Sequence, residues 1–402
     1  MKQVFLCLFL FLSFLASAQK LLKGVVIDAE KDKPVPNASV FLNNTSIGTT
    51  ANTEGKFELY IPAGKYELIV SSIGYETYNQ TITTNEAQNF ITIKLKLKAP
   101  ELETVVIEPY EKDGWEKWGK FFIENFVGTS AYAQNCKIKN TGVIRFRNSK
   151  KDHELTAMAL EPLIIENKAL GYTIKYQLEN FSYNFTTHYL LYLGYPFFEP
   201  MKGGKAKQKR WEKKRSEAYF GSVMHFMRSV YRNKLAEEGF EVRALKKIEN
   251  AEKKRVKEAR KTNMKRTPMP DGRIFVTDIN KDSADYYGKI MRQEDSYDVV
   301  AKNILPGDSI AYAIDSVTAG LAFNNYLLVI YTKGVVPPEY KQQFPKNSTA
   351  IMSQITLINQ TPVEIQANGS YYNPTDLMSL GYWAWSEKMA AMLPFDYKVK
   401  TE

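Results

Sequence analysis

The chain has 402 residues, of which 44% are hydrophobic, and a formal net charge of +10. This length suits two domains and leaves ample chain for two large cores. The sequence contains two cysteines, Cys7 and Cys136, which excludes a fold that depends on several disulfides.

The first 18 residues have the features of a secretory signal peptide. Lys2 is the charged start, residues 4–15 are apolar, and Ala16-Ser-Ala18 forms a small-residue cleavage site before Gln19. The apolar run is too short to span a bilayer, and no later stretch is apolar enough to span as a helix. We therefore expect an exported protein, soluble or peripheral, in the periplasm or at the outer membrane. Its remaining cysteine, Cys136, is expected to be a buried apolar side chain.

The stretch from Gly24 to Leu97 alternates apolar and polar residues with the period of half-buried strands. In its clearest part, from Ile91 to Leu97, every second residue is apolar. Turn residues separate such runs, among them Glu54-Gly55 and Ala63-Gly64. Short strands at this spacing, with no helical period between them, predict a small antiparallel β-sandwich over residues 19–98.

Several short strings in this stretch carry a family resemblance. They are Gly24-Val-Val-Ile-Asp, Pro34-Val-Pro36-Asn-Ala-Ser-Val40, Gly48-Thr-Thr50, Asn52-Thr-Glu54-Gly55-Lys-Phe57, Pro62-Ala-Gly64-Lys-Tyr66 and Ser72-Ile-Gly74-Tyr75. Together they resemble the carboxypeptidase regulatory-like domain, a transthyretin-like accessory module that is widespread in envelope proteins of Bacteroidota. The resemblance implies a non-catalytic sandwich, so the family's name does not imply an activity here.

Residues 99–113 are interpreted as a linker that carries one short strand, Leu102-Glu-Thr-Val-Val-Ile107. This strand is similar to the segment that follows the same domain in TonB-dependent transporters, where it engages the energising partner. The residues after it are too few for the plug and large barrel of such a transporter. Pairing of the strand with an envelope protein therefore stays open beside its interpretation as a plain linker or edge strand.

Residues 114–402 are expected to form an α+β domain built on an antiparallel sheet. Trp115, Trp118 and Phe122 are spaced by three and four residues, which predicts a short amphipathic helix. Alternation that begins at Tyr172 predicts strands with one polar face. Later strands are predicted at Ile274–Val276, Tyr326–Tyr331, Ile351–Ile358 and Val363–Ile365. The whole chain is therefore predicted to be mostly β, of the α+β class.

The centre of this domain is predicted to be helical and basic. The apolar period predicts a helix from Ser216 to Leu235 that packs on the sheet, within a basic helical segment of about residues 205–266. Residues 202–266 hold 22 Lys and Arg against 8 Asp and Glu, which leaves −4 for the rest of the chain. This local charge favours contact with an anionic membrane surface or an acidic glycan, and export argues against nucleic acid as a partner.

The chain closes with an aromatic segment that we expect to lie in the core. This segment and three further strings resemble a group of uncharacterised Bacteroidota envelope proteins, which join the same N-terminal module to this second domain. The strings are Glu161-Pro-Leu-Ile-Ile-Glu-Asn-Lys-Ala-Leu-Gly-Tyr172, Ala218-Tyr-Phe-Gly-Ser-Val-Met-His-Phe226, Glu238-Gly-Phe240 and the tail from Gly381-Tyr-Trp to Tyr397. The resemblance brings no activity with it.

No hydrolytic motif is found in the sequence. A zinc carboxypeptidase needs two histidines and a carboxylate on one metal. The chain has three histidines, and His153-Glu154 begins like a zincin helix, but Ala157 stands where the second histidine would be. Serine-hydrolase elbows and glycine-rich phosphate loops are also absent. We therefore predict no catalytic residue, no enzyme activity and no cofactor.

Two weaker binding signals remain. Asp278, Asn280 and Asp282 alternate like the start of a calcium loop, but the later glycine and glutamate of such a loop are missing, so a solvated turn is favoured. His225, Arg228 and Arg232 could form an anion-binding face, with a solvated helix face as the alternative. The exposed cations Lys209, Arg210, Lys213 and Lys214 extend this candidate set.

Three hypotheses for function follow from these patterns. The favoured one is a non-catalytic binding or scaffolding protein of the bacterial cell envelope, with the sandwich as its interaction module. The second is a hydrolase with an unrecognised carboxylate-based site in the C-terminal domain. The third is an accessory protein of a TonB-dependent uptake system. A cleft with converging carboxylates of raised pKa would favour the enzyme, whereas a flat basic or aromatic surface would favour binding.

Overall fold

The computed structural model describes residues 19–84, 89–98, 109–269, 273–278, 281–345 and 349–399. The predicted signal peptide and the strand Leu102–Ile107 lie outside the described residues. Within the described ranges, no helix has both the length and the apolar character needed to cross a membrane.

The N-terminal strands form a β-sandwich, as the alternation predicts. The strands are β1 Lys20–Asp28, β2 Ser39–Leu42, β3 Gly48–Thr50, β4 Lys56–Ile61, β5 Lys65–Ser71, β6 Tyr78–Thr83 and β7 Phe90–Leu95. One sheet has the order β4-β1-β7 and the other β3-β2-β5-β6. Every second residue of β4 is buried, namely Phe57, Leu59 and Ile61. The sandwich is not wholly antiparallel, because β1 and β7 pair in parallel.

An antiparallel sheet follows, covered by one helix. The helix is α1 Gly114–Phe122, and the strands are β8 Cys136–Ile138, β9 Ile144–Ser149, β10 Glu154–Ala159, β11 Leu163–Asn167, β12 Tyr172–Asn184 and β13 Tyr189–Pro200. The strand β12 is long enough to pair with β10, β11 and β13. Aromatic rings dominate the core between helix and sheet, with Phe122 stacked on Phe126 at 5.0 Å and against Phe181 at 4.8 Å.

The predicted helix from Ser216 to Leu235 is interrupted. The structure has α2 Lys205–Tyr219, α3 Val223–Tyr231 and α4 Leu235–Glu238. Gly221 has a φ of +83°, which a helix does not accommodate, and the Ser222 side chain accepts a hydrogen bond from the backbone N–H of His225. The chain therefore turns at Phe220–Ser222, and α3 starts again in a new direction.

The second half of the C-terminal domain contains two more sheets. The five-stranded sheet comprises β14 Phe240–Glu249, β17 Ser296–Val300, β20 Tyr326–Tyr331, β21 Ile351–Leu357 and β24 Leu377–Gly381. The four-stranded sheet comprises β18 Ala311–Ala313, β19 Thr318–Leu321, β22 Val363–Gln366 and β23 Tyr371–Tyr372. Phe226, Met227 and Val230 of α3 lie in the core that these sheets share.

The remaining elements connect the strands of these sheets or follow them in the chain. Between β14 and β17 the chain forms α5 Ala251–Asn263, the hairpin β15 Met264–Pro268 with β16 Ile274–Asp278, and α6 Lys281–Met291. Two short helices follow, α7 Pro338–Gln343 and α8 Tyr382–Ser386. The basic segment 205–266 is thus not helical throughout, because residues 240–249 form the strand β14, which pairs with β17 and β20.

The C-terminal tail connects the parts of the molecule. Met389, Ala390 and Leu393 lie in the core of the first sheet of the C-terminal domain. The tail then reaches the sandwich, where the N–H of Phe395 donates to the carbonyl of Asn44 at 2.7 Å and Asp396 accepts from the N–H of Ser46 at 2.8 Å. This tail is buried as its aromatic content predicts.

Candidate functional site

A cleft of about 850 Å³ opens between the two halves of the C-terminal domain. One wall consists of α2, the turn between β11 and β12, and the residues that follow α1. The other consists of the end of β20, the start of α7, and α8 with the residues after it. We refer to this space as the cleft, and its size falls within the range of small-molecule sites.

Side chains on one face of the helix α2 hold it against the turn between β11 and β12. Trp211 is 4% exposed, and its Nε1–H donates to the carbonyl of Lys168 at 3.0 Å. Arg215 donates to the carbonyls of Leu170 and Gly171 at 2.7 and 3.1 Å. These positions are four residues apart, so they share one face of the helix and set its rotation about its own axis.

That rotation directs a row of charged side chains into the cleft. Arg210, Lys214 and Glu217 line it, whereas Lys209 and Lys213 are exposed and do not. Lys214 pairs with Glu217 at 2.6 Å. Among the described residues, Arg210 has no ion-pair or hydrogen-bond partner. The helix therefore presents one unpaired guanidinium to the cleft.

The junction between α2 and α3 forms the adjoining part of the wall. The ring of Phe220 is 44% exposed at this point. The carbonyl of Gly221 accepts from the Nε1–H of Trp383 at 2.7 Å, and its N–H donates to Nδ1 of His225 at 3.1 Å. Because Nδ1 accepts, Nε2–H donates to Glu238 at 3.1 Å and the imidazole is neutral. Burial also lowers the pKa of His225, which favours the same neutral form.

Aromatic side chains line the opposite wall. Tyr382 and Trp385 of α8 pack against Tyr340, each with 5.2 Å between ring centroids. The Nε1–H of Trp385 donates to Oγ1 of Thr129 at 3.0 Å, which fixes the indole ring. Burial raises the pKa of Tyr132 and of Tyr382, so both phenols stay protonated and can donate hydrogen bonds.

Glu387 follows directly after α8 and lines the cleft. Among the described residues its carboxyl group accepts one hydrogen bond, from the N–H of Val223 at 3.3 Å. Burial raises the pKa of Glu387 to about 7, and the Val223 hydrogen bond opposes this only in part. The neighbouring Ser386 Oγ is buried and has no hydrogen-bond partner in the described part of the chain. The site thus offers a titratable carboxyl and an unsatisfied hydroxyl side by side.

The structure divides the predicted anion-binding residues into different environments. His225 and Arg228 are buried, at 1% and 6% exposure, whereas Arg232 is exposed. The guanidinium of Arg228 donates to the backbone carbonyls of Asn368, Phe395 and Tyr397 at 2.8–3.1 Å. These three residues do not form one open face. Of the four residues of α2 in the predicted set, Arg210 and Lys214 line the cleft, and Lys209 and Lys213 do not.

The residues that the sequence suggested as metal ligands do not line the cleft. His153 and His188 occupy turns with φ of +53° and +56°, and Glu154 begins strand β10 instead of a zincin helix. Asp278 ends β16 and Asp282 lies in α6, while Asn280 is outside the described residues. Within the described part of the chain, no three His, Cys, Asp or Glu side chains lie close enough together to hold a metal ion. Cys136 is buried, which raises its thiol pKa to about 12.

Sequence reasoning missed most of the cleft. Glu387, Ser386 and Trp385 belong to the tail that the aromatic content assigned to the core, and Tyr132 stood in no motif. The signal that could have found Glu387 is its position between tryptophans and a buried apolar tail, where a carboxylate is unexpected. The two walls come from segments more than 100 residues apart, so their convergence required the tertiary structure.

Comparison with known proteins defines the N-terminal module. The family model of the CarboxypepD_reg-like domain matches residues 22–107. Residues 22–107 therefore belong to this domain family, which confirms the resemblance of the N-terminal motifs. The match does not include the cleft.

This chain spans only a small part of the length of the two curated proteins that it resembles. The TonB-dependent receptor P39 of Formosa agariphila is 29% identical over 109 residues, which cover 26% of this chain and 10% of that protein. Carboxypeptidase E of Caenorhabditis elegans is 36% identical over 67 residues, which cover 15% of this chain and 14% of that protein. A solved DUF3823 family protein from Bacteroides ovatus is 13% identical, with a TM-score of 0.16, and covers 46% of this chain and 83% of its own.

Proposed function

We propose that this protein is a non-catalytic binding protein of the bacterial cell envelope, exported to the periplasm or the outer membrane, whose ligand occupies the cleft. The N-terminal module supports the envelope assignment, since the TonB-dependent receptor that the chain partly matches is an envelope protein by its name. In this proposal the sandwich is the interaction module for other envelope proteins, and the C-terminal domain holds the ligand.

The observation that carries the proposal is the composition of the cleft. Its walls combine exposed aromatic faces, such as Phe220, with a small number of polar groups, such as Arg210, for which the described part of the chain provides no partner. Binding sites for small molecules have this combination, because the apolar surface supplies affinity and a few polar groups fix the orientation of the ligand.

A variant that blocks the cleft tests the proposal. Ala131 is exposed and lines the cleft, so A131W places an indole in the ligand space without disturbing a core. Ala236 is exposed on α4 outside the cleft, and A236W is the matched control. The mature protein would be incubated with an envelope extract, and retained small molecules would be identified by mass spectrometry. We expect the wild type and A236W to retain a ligand that A131W loses; equal retention by all three would reject the proposal.

One observation favours a second candidate, a hydrolase. Glu217, Glu339 and Glu387 line the same cleft, and Glu387 has the raised pKa that a general acid requires near neutral pH. Such an enzyme would cleave a glycosidic bond with water. Protonated Glu387 would give its proton to the leaving oxygen, and a second carboxylate would take a proton from the attacking water.

Turnover decides between the two candidates. The saccharides that the wild-type protein retains would be incubated with it, and new reducing ends would be measured over time. The binding proposal predicts none. Release of reducing ends by the wild type, abolished in E387Q, would establish the hydrolase and reject the non-catalytic proposal.

A further inference from the structure

We propose that the cleft recognises an acidic saccharide, a short sugar chain with carboxylate groups, and that Arg210 and Lys214 bind a carboxylate of this ligand. The inference rests on the proposed role of the cleft as the ligand site and adds the chemical class of the ligand. Three properties of the cleft lead to it.

The first is the unpaired positive charge on the α2 wall. Arg210 has no partner among the described residues, and it lies one helical turn from Lys214 on the same face. A guanidinium binds a carboxylate through two parallel hydrogen bonds, and the Lys214 ammonium, which is paired with Glu217 at 2.6 Å, has further N–H donors to offer. Lys168 lies on the same side of the cleft and pairs with Glu166 at 3.2 Å, with 66% of its side chain exposed. This wall therefore suits a single carboxylate.

The second property is the negative charge on the opposite wall. Glu339 and Glu387 line the cleft from α7 and from the segment after α8, while the ammonium of Lys333 on the same wall donates to the carbonyl of Glu237 at 2.6 Å. These carboxyl groups need hydrogen-bond donors, which the hydroxyl groups of a sugar supply. A ligand with dense negative charge throughout would be repelled there. The arrangement thus requires a ligand that is anionic at one end and rich in hydroxyl groups at the other.

The third property is the aromatic surface on the two walls. Phe220 and Trp385 both line the cleft, and each is fixed by its neighbours, Phe220 by the ring of Tyr219 at 5.4 Å and Trp385 by Thr129. A sugar ring has apolar C–H faces and a polar edge, so it can lie on a rigid aromatic ring while its hydroxyls reach polar groups. Phe220, which is 44% exposed, offers such a face on the α2 wall, and Trp385, which is 8% exposed, contributes less on the opposite wall.

The position of the cations distinguishes a ligand in the cleft from a membrane surface. Lys209 and Lys213 lie on the outer side of α2, while Arg210 and Lys214 line the cleft, and all four are exposed. A flat anionic bilayer attracts the four cations through the same field, each in proportion to its distance. A saccharide inside the cleft depends on the inner pair alone. Two charge-reversal pairs on one helix therefore form a matched comparison.

The experiment is isothermal titration calorimetry with the mature chain. The probes are oligomers of galacturonate, glucuronate and mannuronate about four sugars long, each beside its neutral counterpart, since a site of this volume holds a ligand of that order. We expect the wild type to bind at least one acidic oligomer about tenfold more tightly than its neutral counterpart. R210E/K214E should weaken this binding by about tenfold or more, and K209E/K213E by less than about twofold. Unchanged melting temperatures of both variants serve as the folding control.

Three other results of these binding measurements would overturn the inference. Failure of every acidic oligomer to bind, or an equal loss in both charge-reversal variants, would reject it. Binding of neutral oligomers with the same affinity, abolished by A131W, would reject the acidic ligand and leave the cleft as a binding site. A parallel sedimentation assay with phosphatidylglycerol vesicles completes the design. Vesicle binding that depends on all four cations, without oligomer binding, would assign the basic helix to a membrane surface instead.

Discussion

Glu387 places a carboxyl group in the cleft, where burial raises its pKa to about 7. Its pKa in the unfolded chain is the ordinary value of 4.5, so the folded state binds a proton that the unfolded state releases between these two values. Stability linked to this group is fully present below pH 4.5 and is lost as the pH rises through about 7. At neutral pH and above, the ionised carboxylate destabilises the fold.

The substitution E387Q tests this linkage. Glutamine keeps the acceptor for the N–H of Val223 but cannot ionise. Because each pKa unit corresponds to about 1.4 kcal/mol, we expect E387Q to raise the free energy of unfolding by about 2 kcal/mol at pH 8 and to change it little at pH 4. Urea unfolding at the two pH values measures the difference. The same change at both values would show that ionisation of Glu387 is not responsible.

Arg228 stabilises the fold by a different means. Its guanidinium is buried and binds three backbone carbonyls, two of them in the C-terminal tail. Removal of the guanidinium leaves these carbonyls without a donor. We expect R228M to lower the free energy of unfolding by about 3 kcal/mol, and R232M, at an exposed position four residues later, to lower it by less than about 0.5 kcal/mol. Equal effects in thermal or urea unfolding would contradict the structural role of Arg228.

At the scale of elements, the junction between α2 and α3 determines the shape of the cleft. A Cβ atom at Gly221 would lie 2.7 Å from the ring of Tyr331, in a backbone conformation that L side chains rarely adopt. We expect G221A to destabilise the protein by about 1–3 kcal/mol and to weaken ligand binding, because the wall must shift. G288A, in α6 with open space around it, should be neutral or stabilising by about 0.5–1 kcal/mol. Wild-type stability and binding in G221A would show that the junction does not control the cleft.

The elements also show what the sequence could predict. The strand β4 and the first part of β12 were predictable because one buried face leaves a period of two in the residues, whereas β20 was predictable from an uninterrupted run of aliphatic and aromatic residues. The helix from Ser216 to Leu235 was predicted as continuous, since an apolar period of 3.6 persists on both sides of Gly221. A single glycine with positive φ does not erase that pattern. The basic residues of α2 were identified, but their division between the cleft and the outside depends on how Trp211 and Arg215 rotate the helix.

At the scale of the whole molecule, the sandwich has a core of its own. Its buried apolar cluster is formed entirely by residues between Leu22 and Leu95. We therefore expect a fragment of residues 19–98 to fold alone and to unfold cooperatively, because the contacts with the C-terminal domain are additional to this core. Far-ultraviolet circular dichroism with thermal unfolding tests this. A random-coil spectrum would mean that the sandwich depends on the rest of the chain.

The sandwich contacts the C-terminal domain through polar groups and through aromatic rings. Lys65 pairs with Glu364 at 2.5 Å, and the carbonyl of Lys65 accepts from the hydroxyl of Tyr372 at 2.7 Å. The ring of Phe41 also packs on Phe197, with 5.1 Å between centroids. The sandwich is thus held in one position relative to the domain that carries the cleft. A partner bound to the sandwich would therefore have a defined orientation to the ligand site.

The most direct test of the central claim is hydrogen–deuterium exchange of the mature chain with and without the ligand that it retains from the envelope extract. If the cleft is the binding site, protection will appear in the segments that form its two walls, residues 130–135, 210–222 and 382–391, and will be absent in A131W. Protection confined to the sandwich, or retained in A131W, would contradict the claim and move the binding function away from the cleft.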